Sequence, residues 1–180
     1  MTDPNAQASY LWLTFTLMTV AFWGLYGLFL HSGQMGMADP VNGRYKAFLI
    51  VGLAYFLTAV LAPIAVLVIR GAAWTFPMKG LSWSLLAGLV GAAGAFCVLL
   101  AFGAKGTPAT VMTIVFAGAP IINAVVALML HPPAGGFKSI KPAFFLGIGL
   151  AVLGAALVTL NKPQPGKHSP PAKNVVNSPD

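Results

Sequence analysis

Long apolar runs alternate with short polar segments along the chain. Five runs contain about 20 mostly apolar residues each, the length that an α-helix needs to cross the hydrocarbon core of a bilayer. They cover Ser9 to Leu30, Ala47 to Ile69, Leu81 to Gly103, Pro108 to Leu130 and Pro142 to Leu160. The pattern therefore predicts an all-α fold: a polytopic integral membrane bundle of five transmembrane helices within residues 1–161.

The polar segments carry the residues that end helices and form turns. HSGQMGMADPVNGRYK follows the first run, GAAWTFPMKG the second and HPPAGGFKSIKP the fourth, and each contains both Gly and Pro. Only GAKGTP joins the third and fourth runs, so these two helices are predicted to be antiparallel neighbours. The tail 162–180 is rich in proline and lysine and has little apolar surface to bury, so it is predicted to be disordered.

The composition agrees with a membrane location. Hydrophobic residues make up 58% of the chain and charged residues only 7%, against roughly 45–50% and 25% in soluble domains. The lysines and arginines behind the net charge of +7 lie at or outside the ends of the runs, where they set orientation and contact anionic lipid headgroups. The sequence contains no basic helix of the kind that would indicate a nucleic-acid partner. The distribution of lysines and arginines favours an N-terminus outside and a C-terminus in the cytoplasm, and we expect a bacterial inner membrane.

Residues suited to catalysis or metal binding are scarce. The sequence contains no glutamate, and its three aspartates all lie outside the runs, which argues against a proton-coupled cation antiporter built around a buried carboxylate. His31 and His131 lie at run ends without metal-ligand spacing, and no nucleophile elbow or nucleotide-binding loop occurs. We therefore predict no catalytic residue, no metal and no cofactor. The single cysteine, Cys97, is expected to be a small packing residue.

Uncharged polar side chains remain inside the runs. Threonine hydroxyls in membrane helices commonly donate to their own i−4 carbonyl, so structural roles are expected for Thr14, Thr16, Thr19, Thr58, Thr110 and Thr113. Asn123 differs, because its amide has donors and lone pairs that a helix backbone does not satisfy. Pro120 lacks an amide hydrogen and frees the carbonyl of Phe116, which is tolerated only where protein or a water-filled cavity covers it. Asn123 and Pro120 are therefore expected to face inward.

Small residues recur at every fourth position on two runs. Helices in lipid associate by close van der Waals contact, so such ridges indicate where backbones meet. The two ridges are Ala87, Gly91 and Ala95 in the third run, and Gly147, Ala151 and Ala155 in the fifth.

Three stretches together resemble the EamA-type domain of the drug/metabolite transporter superfamily. They are AFWGLYGLFL in the first run, GLVGAAGAFCVLLAFGAKGTPATVMTIVFAGAPIINAVVALML across the third and fourth, and FFLGIGLAVLGAALVTLNK in the fifth. The resemblance implies transport of a small molecule, with the substrate at the interface between two repeats. The chain departs from the family in having five spans, one repeat instead of two, and in lacking the glutamate often found after the fourth span. A second copy of the chain in inverted orientation would complete the pair of repeats.

Two hypotheses of function follow. The first is a small-molecule permease that acts as a homodimer, with its cavity between the first, third and fourth spans. Trp23 and Tyr26 would form aromatic walls, Asn123 would orient the solute by hydrogen bonds, and Pro120 would expose a carbonyl or let the helix flex. A neutral or weakly polar solute suits this site, because no carboxylate is available to pair with a cation. The second hypothesis is a non-transporting accessory subunit of a membrane complex, in which Asn123 only ties helices together.

Overall fold

The computed structural model describes the backbone of residues 4–162 and the side chains of residues 10–136 and 138–162. Within this part of the chain 82% of residues are helical and no strand occurs. Five helices are long and apolar enough to cross a membrane, so the predicted fold class is confirmed. Apart from Lys162, the tail predicted to be disordered lies outside the described residues.

The five helices run up and down in chain order. They are α1 (Pro4–Gly36), α2 (Gly43–Ile69), α3 (Met78–Gly103), α4 (Pro108–Leu130) and α5 (Pro142–Leu160). A short 3₁₀ turn at Phe137–Ser139 precedes α5. The first helix continues past the predicted end at Leu30 and is about 50 Å long at 1.5 Å per residue, which exceeds the thickness of a bilayer core. His31 and Gln34 therefore lie inside α1 and not in a loop.

Two helices end in the same hydrogen-bonded motif. After α2, the N–H of Ala72 donates to the Leu67 carbonyl at 3.0 Å, and Gly71 adopts a positive φ of 60°. After α3, the N–H of Gly106 donates to the Ala101 carbonyl at 2.9 Å, and Lys105 takes the position with φ 69°. This Schellman motif satisfies carbonyls that a helix end leaves free, and glycine usually occupies its left-handed position. Lysine occupies that position after α3.

The second helix changes its winding halfway. It consists of α-helix over Gly43–Phe56, a π-helical turn over Leu57–Leu61 and α-helix over Ala62–Ile69. Pro63 lies two residues after the end of the π turn and cannot donate a backbone hydrogen bond to the residue four positions earlier. The π turn and the proline together break the regular hydrogen-bond pattern at the centre of the span.

Packing is concentrated at one end of the bundle. The core cluster consists of Leu30, Val98, Leu99, Phe102 and Met112. These residues lie near the end of α1, the end of α3 and the start of α4, and the buried Ala47 lies near the start of α2. We call this the packed end. At the opposite end, which we call the open end, the first half of α3 over residues 81–94 is exposed throughout.

Contacts between helices are also concentrated at the packed end. Among the described helices, α1 contacts α2, α3 and α4, while α3 also contacts α2 and α4. The contact between α3 and α4 confirms that they are neighbours, as the short GAKGTP connection predicts. The fifth helix contacts α4 alone, and the second half of α2 contacts no other helix of the described chain.

The ridges of small residues are mostly uncovered in the single chain. Ala95 is buried, with 3% of its surface exposed. A Cβ atom added at Gly91 or at Gly147 would meet no neighbouring helix of the described chain within 4 Å. The expected helix contacts are therefore absent at these two glycines, because both lie toward the open end. The close approach of backbones occurs instead at Gly27 of α1, where an added Cβ atom would overlap the Met112 side chain of α4.

Candidate functional site

Aromatic side chains join α1 to α4 near the middle of the bundle. The rings of Trp23 and Phe116 meet edge to face with centroids 6.5 Å apart. On the other side, the Trp23 ring lies 5.4 Å from that of Tyr26. Tyr26 in turn packs against the core cluster. The structure thus brings the two predicted wall residues together, and it adds Phe116, whose side chain the sequence did not single out.

Pro120 and Asn123 follow Phe116 on α4, toward the open end. Both residues are exposed. No side-chain hydrogen bond joins Asn123 to any residue of the described chain. The inward orientation expected for the pair is therefore not found in the described part of the chain, because no described helix covers α4 on that face. The role of Asn123 in binding a solute stays a prediction.

A groove of about 630 Å³ lies between α1, α4 and α5. Small residues keep it open on α1 and α5, at Gly24, Ala151 and Gly154, while Phe116 and Met112 contribute its larger surfaces on α4. The cavity expected between the first, third and fourth spans has a different position, because Leu30, Leu99 and Met112 fill that interface. Phe116 links the two regions, since it both lines the groove and contacts Trp23.

Most threonines inside the spans have the expected local role. The hydroxyls of Thr14, Thr16, Thr19, Thr58 and Thr113 each donate to the carbonyl four residues earlier, at distances from 2.6 to 3.0 Å. This prediction is confirmed for these five. Thr110 differs: its Oγ1 lies 3.0 Å from Thr107 Oγ1 and accepts a hydrogen bond of 2.9 Å from Lys162 Nζ. That bond ties the end of α5 to the start of α4.

Three buried polar atoms on α1 have no hydrogen-bond partner among the described residues: Tyr26 Oη, His31 Nδ1 and Gln34 Oε1. A buried polar atom without a partner is costly unless water or a ligand satisfies it. The His31 ring packs on Phe102 of α3 with centroids 5.3 Å apart. Gln34 lines a second cavity of about 320 Å³ at the packed end, together with Asp39 and Arg44. Tyr26 was already a predicted site residue, but the sequence did not indicate His31 and Gln34, because α1 was predicted to end before them.

The chemistry available around Trp23 is uncharged. In the described part of the chain, no group of three or more His, Cys, Asp or Glu residues is placed to hold a metal ion. The Tyr26 hydroxyl can donate or accept a hydrogen bond, and Pro120 leaves the Phe116 carbonyl without its i+4 amide partner. Aromatic faces with one hydroxyl and one carbonyl suit a flat or apolar solute that makes few hydrogen bonds.

Comparison of the chain with protein-family models, with curated proteins and with solved structures gives no match.

Proposed function

We propose that the protein is a small-molecule permease that acts on a neutral or weakly polar solute. The observation that carries the proposal is the contact of Trp23 with Phe116, the residue whose carbonyl Pro120 leaves free. An aromatic surface and a free acceptor thus lie at the same height of the bundle. The hydroxyl of Tyr26, beside Trp23, can donate or accept a hydrogen bond and supports the same position.

The solute class follows from the absence of charge around Trp23. Arg44, Lys46, Lys105 and Lys162 lie at the packed end of the described chain, at or beyond the helix ends. A cation would have no carboxylate to pair with, and an anion would have no ammonium or guanidinium group at mid-span. Burying an ion without a partner is strongly unfavourable, so an uncharged solute fits this site.

A homodimer in the bacterial inner membrane forms part of the proposal. The small residues Gly88, Gly91 and Gly147 leave helix faces on which another helix can approach closely, and no helix of the described chain occupies them. Asn123 is exposed near the same open end. A second copy of the chain would cover these faces and supply hydrogen-bond partners to the amide.

The test uses the full chain in liposomes and a panel of neutral, weakly polar and cationic solutes, with binding followed by equilibrium dialysis of the labelled solute and transport by solute uptake. We expect uptake of at least one uncharged solute, and a loss of about tenfold in its binding in Trp23→Ala. Trp12→Ala is the matched control, because Trp12 lies on the same helix and is 62% exposed. Uptake that is absent for every solute, or solute binding that is equal in Trp23→Ala and Trp12→Ala, would contradict the proposal.

A second candidate is an accessory subunit that binds a different membrane protein. The exposed amide of Asn123, which has no partner in the described chain, favours it, because an interhelical hydrogen bond contributes about 0.6 kcal/mol on average. Asn123→Leu separates the candidates. Under the permease proposal, Asn123→Leu lowers solute uptake by the purified protein. Under the accessory-subunit candidate, neither form takes up solute, and Asn123→Leu loses the partner protein on purification.

A further inference from the structure

We infer that the groove between α1, α4 and α5 holds one acyl chain of an anionic phospholipid whose phosphate lies against Lys162, Thr107 and Thr110. The site lies beside the proposed solute site at Trp23, and the two sites share Phe116. Its two halves are the apolar groove and a cationic cluster at the packed end.

The cluster lies where the ends of two helices meet. Lys162 Nζ donates to Thr110 Oγ1 at 2.9 Å and lies 3.5 Å from Thr107 Oγ1. These hydroxyls are separated from Lys162 by more than 50 residues in sequence, and α5 has no neighbour other than α4 in the described chain. The ammonium group thus lies at the start of α4, where the helix dipole is also positive. This geometry places two positive contributions together.

No acidic side chain of the described chain neutralises this cluster. Asp39 is the one acidic residue within residues 4–162, and its carboxylate is paired with Lys46 through a contact of 2.6 Å. The ammonium of Lys162 has three N–H donors, and the two threonine hydroxyls use at most two of them. One N–H of Lys162 therefore remains to donate. The bond between Thr107 and Thr110 uses the hydrogen of one of the two hydroxyls, so the other hydroxyl can also donate. These donors suit the oxygens of a phosphate group.

The groove begins beside the cluster and continues toward the middle of the bilayer. Pro108 and Ala109 line it directly next to Thr107 and Thr110, and Val158 lines it one turn before Lys162. It reaches Ala117 on α4, about 13 Å from Pro108 along the helix axis. Its volume of about 630 Å³ falls within the roughly 300–1,000 Å³ of ligand sites. The apolar lining and the depth match an acyl chain with its headgroup at the helix ends.

Charge complementarity selects an anionic lipid over a zwitterionic one. Basic pockets between transmembrane helices on the cytoplasmic side bind anionic headgroups, and the C-terminal end of α5 is predicted to face the cytoplasm. A choline headgroup would bring a second positive charge close to Lys162, whereas a glycerol headgroup would not.

The experiment is native mass spectrometry of the full chain in detergent, with phosphatidylglycerol or phosphatidylcholine added at the same concentration. We expect retention of one phosphatidylglycerol per chain, and about fivefold weaker retention in Lys162→Gln, in line with the effect of one surface lysine. The matched control is Lys141→Gln, because Lys141 caps the other end of the same helix. Gly154→Leu places a large side chain in the groove, at a position where an added Cβ atom meets no neighbour. It is expected to lower phosphatidylglycerol retention as much as Lys162→Gln does, while an unchanged circular dichroism spectrum shows that the helices are still formed.

Three results would overturn the inference: equal retention of the two lipids, equal losses in Lys162→Gln and Lys141→Gln, or full retention in Gly154→Leu. Lys162 and Lys141 flank the two ends of α5, away from Trp23 and Phe116, so their variants are expected to bind the solute normally. Failure of this inference is therefore distinguishable from failure of the permease proposal.

Discussion

The edge of one aromatic ring meets the face of another between Trp23 of α1 and Phe116 of α4, at an interplanar angle of 88°. Both side chains are about 40% exposed, so this contact lies at the boundary between the packed core and the groove. Edge-to-face pairs of this kind are favourable beyond the area that they bury. The contact is therefore well placed to set the separation of α1 and α4 at mid-span.

A double-mutant cycle on Trp23→Ala and Phe116→Ala should give a coupling free energy of about 0.5–1.5 kcal/mol, the usual range for an aromatic pair. The coupling free energy is calculated from the free energies of unfolding of the four proteins, each measured by titration with a denaturing detergent. A parallel cycle on Trp12→Ala and Phe116→Ala serves as the control, since no ring contact joins Trp12 to Phe116 in the described chain. Equal coupling in the two cycles would contradict a specific ring contact.

The core cluster predicts a strong position dependence along α3. Leu99 is completely buried, with 0% of its surface exposed, whereas Leu89 of the same helix is 60% exposed. Leu99→Ala leaves a cavity and is expected to lower the free energy of unfolding by about 2 kcal/mol, the lower end of the range for buried leucines. The lower end applies because lipid, unlike water, is as apolar as the core. Leu89→Ala is expected to change it by less than about 0.5 kcal/mol. The unfolding experiment above measures both, and a larger effect at Leu89 would show that the open end is packed.

The Schellman motifs after α2 and α3 allow a reciprocal test. Lys105 occupies the left-handed position with φ 69°, which costs a non-glycine residue about 1–2 kcal/mol. Glycine removes that cost but adds freedom to the unfolded chain, so Lys105→Gly is expected to stabilise the protein by roughly 0.5–1 kcal/mol. Gly71→Ala introduces the same strain after α2 and is expected to destabilise it by a similar amount. Changes of the same sign in the free energy of unfolding of the two variants would contradict the left-handed conformation of Lys105 and Gly71.

The turn before α2 predicts a dependence of stability on acid pH. Asp39 accepts hydrogen bonds from the Asn42 backbone N–H and from Lys46, which lower its pKa from 3.8 to about 2. Because the folded pKa lies below the ordinary one, the charged form stabilises the folded state above about pH 4, and this contribution disappears as the pH falls toward 2. Asp39→Asn is expected to remove that part of the pH dependence. Carbon-detected NMR titration of Asp39 gives its pKa directly, and a value near 3.8 would contradict the prediction.

The sequence predicted the helices well because each depends on local properties. A run of about 20 apolar residues must satisfy its own backbone hydrogen bonds in lipid, which requires a helix. The i−4 hydrogen bonds of Thr14 and Thr113 are local in the same sense. The end of α1 was predicted too early, because HSGQMG has no residue that forces a helix to stop, and the helix ends only near Ala38, which has a positive φ.

Contacts between distant residues could not be predicted in the same way. The pairing of Lys162 with Thr110 joins the ends of two helices, and their separation along the chain gives no sign of it. Phe116 looked like one apolar residue among many until α1 placed Trp23 against it. The exposure of Asn123 depends on how far apart the helices lie at the open end, which hydrophobic periodicity does not encode.

The π-helical turn in α2 provides a hinge about which the second half of that helix can move. The segment after Leu57 is tethered by a continuous helix to the packed end, and none of the described helices touches it. Ile69 lies about 18 Å beyond Leu57 along the axis, so a pivot of about 10° at the π turn moves it by about 3 Å. Motion at this hinge would widen or narrow the open end without disturbing Leu99 and its neighbours.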